Sequence, residues 1–194
     1  MERAVFLDID DVLLTARALV LSNNRRFLRA NGLAVDARLV TFDPIGIEML
    51  NRIAELTDAR FVLSTSWRHT VGVELTLEAL QRNGLSGSKL HADPYCPLTG
   101  SRIDGVTGKA RDIRAWLALH KDVEAWVAID NAPSLAVEMR ATASTARGLV
   151  IEVDPLVGIS ARDYSLALQH LGTPRDPDLI SFKAFHPSLE KPHA

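Results

Sequence analysis

Apolar residues fall into two kinds of pattern along this chain. Continuous β-branched or aromatic runs occur at Ala4 to Leu7, Phe61 to Leu63, Trp126 to Ile129 and Leu149 to Val153. Because they do not alternate with polar residues, they predict strands covered on both faces, as in a parallel sheet. Between them, apolar positions recur at helical spacing. Ile45, Met49, Leu50, Ile53 and Leu56 form a stripe behind Asp43-Pro44, an N-cap followed by a first-turn proline. Lys109 to His120 carries Ile113, Trp116, Leu117 and His120, and Ser160 to Leu171 carries Tyr164, Leu168 and Leu171, with Ser160 and Asp163 at capping-box spacing. Strand and helix therefore alternate, which predicts an α/β fold: a Rossmann-like three-layer sandwich with a central parallel sheet and helices on both faces. Its ligand site is expected outside the carboxyl ends of the strands.

Two stretches break the alternation. Residues 12–42 hold the basic cluster Arg25, Arg26 and Arg29, and residues 85–108 are rich in Gly, Pro and Ser. Each reads either as a flap over the site or as a long surface loop. After Gly172 the prolines Pro174, Pro177, Pro187 and Pro192 predict an extended strap or a frayed end. The expected organisation is one domain over residues 1–172, with a Pro-containing tail at 173–194.

With 194 residues, 47% of them hydrophobic, the chain is long enough to bury a core. A net charge of −2 provides no global basic field, so a polyanion must be held by local contacts. Cys96 is the one cysteine, which excludes an internal disulfide and fits a reducing compartment. The opening residues turn acidic at Asp8, well short of a signal peptide or membrane span, so a cytoplasmic protein with no membrane partner is expected.

The first predicted strand ends in Asp8-Ile9-Asp10-Asp11-Val12-Leu13, three carboxylates where such a sheet presents its ligand. Asp8 and Asp10, two apart, can direct one carboxylate at a substrate and the other at a proton, with a hard cation such as Mg²⁺ offsetting their repulsion; an acidic surface turn is the plain alternative. The second strand ends in Leu63-Ser64-Thr65-Ser66-Trp67-Arg68, hydroxyls and N–H groups suited to phosphate oxygens. Lys109 opens a helix after Gly108, and the third strand ends in Asp130-Asn131-Ala132-Pro133.

In this order the segments resemble the four motifs of the haloacid dehalogenase (HAD) superfamily of aspartate-nucleophile phosphatases, covering residues 4–134. Asn131 stands where a second acid is common and resembles the Asp-Asn-x-Pro form of the carboxy-terminal-domain phosphatases; its amide oxygen ligates but adds no charge. The phrase Leu63 to Arg68 and the Ile113, Trp116, Leu117 helix are similar to the HAD domain associated with RNA-repair proteins.

The resemblance implies a Mg²⁺-dependent phosphomonoester hydrolase. Asp8 is the implied nucleophile, forming an aspartyl phosphate, and Asp10 the acid that protonates the leaving group and then activates water. Ser64 or Thr65, with Lys109 or Arg111, would hold phosphate oxygens, and Asp8, Asp10 (through its carbonyl), Asp130 and Asn131 the metal. The RNA-repair likeness adds an RNA or DNA end as substrate, with Arg68 pairing to phosphate and Trp67 stacking on a base; a core role for Trp67 and a structural one for Arg68 are the alternatives. The intervals Asp8 to Ser64 and Ser64 to Lys109, 56 and 45 positions, leave room for a small cap or none, which favours a bulky substrate. A small-molecule or phosphoprotein phosphatase, or an idle phosphate-binding module, are the competing readings. The sequence is silent on oligomeric state.

Overall fold

The computed structural model describes residues 2–21, 24, 37–97, 108–140 and 147–172. Five strands, β1 (Glu2–Leu7), β2 (Arg60–Leu63), β3 (Leu90–Tyr95), β4 (Val123–Asp130) and β5 (Arg147–Glu152), form one sheet in the order β3-β2-β1-β4-β5. Every neighbouring pair is parallel. The described helices are α1 (Ala16–Leu19), α2 (Pro44–Thr57), α3 (Trp67–Thr70), α4 (Val73–Arg82), α5 (Gly108–Leu119), α6 (Pro133–Arg140) and α7 (Ala161–Leu171). This is the expected α/β arrangement.

Alternate strand residues feed two cores. Val5, Leu7, Phe61, Leu63, Val127 and Ile129 pack on one face with α2, α4 and α7, while Ala4, Phe6, Val62, Trp126 and Ala128 pack on the other with α5 and α6. A strand covered on both faces has no polar side to show, which is why the runs appear continuous in sequence. Gly148 serves the second core: a Cβ there would lie 1.9 Å from the Trp126 ring.

The caps read from sequence are present. Asp43 accepts from Ile45 N–H at the start of α2, and Ser160 and Asp163 form a reciprocal capping box on α7. Two expectations are corrected. Residues 90–95, placed in a loop, form β3, an edge strand whose half-exposed residues and Pro94 leave no apolar run to find. Helix α4 was not anticipated, because its buried face is Thr76, Ala79 and Leu80, a weak stripe. Arg25, Arg26 and Arg29, residues 98–107 and the proline-containing tail lie outside the described residues.

Candidate active site

The carboxyl end of β1 enters a tight loop. Asp8 is 3% exposed, and its N–H bonds Ile129 O across to β4 at 3.2 Å. The Ile9 carbonyl then accepts from the N–H groups of Val12, Leu13 and Leu14 at 2.9–3.2 Å, curling residues 9–14 around one oxygen. That turn puts Asp11 in the left-handed region, φ 59°, a conformation Asp tolerates better than most residues. The loop is braced from the far end of the chain by Gly158, φ +73°, where a Cβ would stand 2.4 Å from the Val12 carbonyl oxygen.

Three motif residues converge here. Lys109, in the first turn of α5, donates through Nζ to Asp8 Oδ2 and to Asp130 Oδ2 at 2.8 Å, joining the ends of the two central strands through one ammonium. Burial pushes the Asp8 carboxyl up to about 6, against the pull of Lys109 and with added repulsion from Asp130. Burial works against the charge on Lys109 too, but Asp8 and Asp130 more than offset it and hold its pKa above the ordinary value. Asp130 also accepts from Ala132 N–H at 2.9 Å, fixing its second oxygen.

The end of β2 lies alongside. Ser64 is 2% exposed, and its hydroxyl meets no oxygen or nitrogen partner among the described residues, lying against the Cys96 thiol. The Thr65 hydroxyl accepts from Trp67 N–H at 3.3 Å at the start of α3. The two candidates thus differ: the Thr65 hydroxyl serves the helix start, and the Ser64 hydroxyl does not. Arg68, read from sequence as a phosphate partner or a structural arginine, stands in a structural pairing here. Its side chain, 6% exposed, pairs with Asp112 and donates to Cys96 O at 2.9 Å, joining α3 to α5 beneath the site. Burial pushes the Cys96 thiol beside it up to about 12, which disfavours the thiolate form.

Trp67 does not present a stacking face. It is 7% exposed, packs on Phe42 at a ring separation of 5.6 Å, and donates Nε1–H to Asp10 Oδ1 at 2.8 Å. Ser66 donates to the other oxygen, Asp10 Oδ2, at 3.2 Å. Asn131 donates through Nδ2 to Asp11 Oδ2 at 2.8 Å. Asp11, Ser66 and Asp112 escaped the sequence reading as site residues. Asp11 and Ser66 each adjoin a residue singled out there, and Asp112 sits one helical turn after Lys109, a spacing that hints at shared placement.

A divalent metal fits these residues in chemistry. Two buried carboxylates already converge on a positive group, and the donors within reach are hard oxygens, which suit Mg²⁺. Among the described residues, no three His, Cys, Asp or Glu side chains gather as a ligand cluster. Asp8 and Asp130 would therefore be joined by a main-chain carbonyl, the Asn131 amide oxygen and solvent, in keeping with a cation that retains several waters.

A cleft of about 870 Å³ flanks this end of the sheet along β5, lined by Arg140 of α6 and Arg162 of α7 and by the 153–158 segment that braces the β1 loop. No described helix is long and apolar enough to cross a membrane.

A protein family described as the HAD domain in Swiss Army Knife RNA repair proteins matches residues 4–164. No curated protein and no solved structure matches the chain.

Proposed function

The chain belongs to the HAD domains of Swiss Army Knife RNA repair proteins, and from that membership we propose that it is a Mg²⁺-dependent phosphomonoesterase acting on nucleic acid ends through an aspartyl phosphate. The family supports a HAD-type phosphatase in general. The observation that carries the finer reading is the Lys109 ammonium held between the buried carboxylates of Asp8 and Asp130. Two buried carboxylates against one ammonium leave the site an excess of negative charge, which a divalent cation would offset; that cation and Lys109 together would then face the phosphoryl oxygens.

In this mechanism Asp8 attacks phosphorus, Lys109 and the Ser64 hydroxyl hold phosphoryl oxygens, and Asp10 protonates the leaving oxygen, then takes a proton from the water that cleaves the aspartyl phosphate. Asp8, Asp130, Asn131 and the Asp10 carbonyl would hold Mg²⁺, which when bound neutralises charge on the transferring group. Residues 1–172 act as one domain, since α7, running to Leu171, completes the core under β1, β4 and β5.

The test compares kcat/KM for 3′- and 5′-phosphorylated oligonucleotides with mononucleotides bearing the same phosphate, with and without Mg²⁺. A preference for the oligonucleotide that weakens as salt rises is expected. Equal rates without salt dependence would point to small-molecule or phosphoprotein phosphatase activity, and Mg²⁺-independent phosphate binding without turnover to an idle module.

A further inference from the structure

We infer that Trp67 is a positioning residue for Asp10, its indole N–H deciding which carboxylate oxygen carries the catalytic proton. The inference rests on the phosphatase reading and assigns within it a role that the stacking expectation had missed.

Asp10 is held at both oxygens, by Trp67 Nε1–H on Oδ1 at 2.8 Å and Ser66 Oγ on Oδ2 at 3.2 Å. The two donors differ in kind. An indole N–H only donates, so the oxygen it contacts must accept whether the carboxyl is charged or neutral. A hydroxyl both donates and accepts, so Ser66 can donate to a charged Oδ2 and accept from a protonated one. The acid proton of Asp10 is thereby confined to Oδ2. During attack by Asp8, Oδ2–H passes its proton to the leaving oxygen as the phosphorus–oxygen bond breaks. In the second half, Oδ2 takes the proton of the attacking water, and the Trp67 bond persists through both.

The indole is well placed for this task. Trp67 begins α3 directly after the strand end that carries Ser64, and its ring is buried against Phe42. A rigid two-torsion side chain fixed by packing costs little entropy to hold, whereas Asp10, half-buried on a turn, has rotamers to lose. Trp67 thus orients the proton-transfer group without touching substrate.

The test exploits leaving groups. Departure of p-nitrophenolate needs little protonation, and departure of an alkoxide needs it fully. The quantity measured is the ratio of kcat/KM for an alkyl phosphate to that for p-nitrophenyl phosphate, which reports the first phosphoryl transfer. Trp67→Phe keeps the ring and removes the N–H; it should lower this ratio about 10- to 100-fold, as misplacement of a catalytic group does. Asp10→Asn should lower it further, and Trp67→Phe added to Asp10→Asn should change the ratio no more. Phe42→Leu, which keeps the N–H but loosens the packing that fixes the indole, should lower the ratio less than Trp67→Phe does.

A Trp67→Phe ratio equal to that of wild type, or a loss additive with Asp10→Asn, overturns the inference and leaves Trp67 as core packing. Absence of any leaving-group effect in Asp10→Asn overturns the underlying acid assignment instead, so the two failures are separable. If Trp67→Phe does not fold, 3-benzothienylalanine at position 67 alone keeps the bicyclic shape without the N–H and is read by the same criteria.

Discussion

Asn131 Nδ2 donates to Asp11 Oδ2 at 2.8 Å, tying the residue after β4 to the left-handed residue of the β1 loop. The neutral amide at the position where HAD motifs often carry a second acid therefore has a structural reason here: it supplies a donor that a carboxylate lacks. Asn131→Asp would set two carboxylates face to face and should cost about 1–3 kcal/mol of stability, the range for losing a bond to a charged group. Asp11→Asn in the same chain should recover most of it, since Asn also tolerates the left-handed region. Urea midpoints of the three variants are the check, and an Asn131→Asp protein as stable as wild type would refute the coupling.

Ser64 separates stability from function. Its buried hydroxyl has the weakly bonding Cys96 thiol beside it and no oxygen or nitrogen partner among the described residues, so Ser64→Ala removes a poorly compensated polar group and should leave the melting temperature unchanged or raise it. Activity should fall, because a bond to a phosphoryl oxygen is worth about 1.5–3 kcal/mol, or about 10- to 100-fold in kcat/KM. Calorimetry beside steady-state kinetics decides. A destabilised but fully active variant would place the hydroxyl in the core alone.

Asp8 makes stability depend on pH. Burial raises its carboxyl to about 6, above the unfolded value of 3.8, so the folded chain holds this proton more tightly than the unfolded one. The slope is therefore negative between about 4 and 6, with stability falling as pH rises through that window and staying low above it. Asp8→Asn removes the titration. It should gain melting temperature over wild type at pH 7.5 relative to pH 4.5, and Mg²⁺ should raise wild type more than the variant at pH 7.5. Turnover by Asp8→Asn should drop by several orders of magnitude; a variant of near-normal activity would discard the nucleophile assignment.

The buried Arg68–Asp112 pair predicts a large cost for breaking one half. Both side chains are under 10% exposed, and Arg68→Ala or Asp112→Ala leaves an uncompensated charge, worth about 3–5 kcal/mol. Denaturant unfolding measures it; losses below 1 kcal/mol would mean that water reaches the pair.

Legibility in the sequence followed the physics of each segment. The four apolar runs declared themselves because strands of a covered parallel sheet have no polar face. β3 did not, being half-exposed at an edge, and α4 did not, since Thr76 and Ala79 carry little apolar signal. Residues of the site were legible where chemistry demands a rare type at a strand end, as with Asp8, Lys109 and Asp130. Arg68 and Trp67 were ambiguous: a cation or an aromatic beside a phosphate motif serves substrate and core equally well in one dimension. Only the partners, Asp112 and Asp10, separate the two uses, and those lie 44 and 57 positions away.

The central position of β1 also bears on how the chain is made. Its neighbours in the sheet are β2 and β4, one synthesised early and the other only after residue 123. A growing chain can assemble β3-β2-β1 while one flank of β1 still presents bare N–H and C=O groups from Glu2 to Leu7, an adhesive surface of the kind that recruits foreign strands. The carboxyl end of β1 meanwhile bears Asp8, Asp10 and Asp11 with Lys109 not yet there to face them. Emergence of α5 and β4 from the ribosome thus covers the open flank of β1 and brings Lys109 against Asp8 in one event, leaving β5 to pair last on the outer edge of β4.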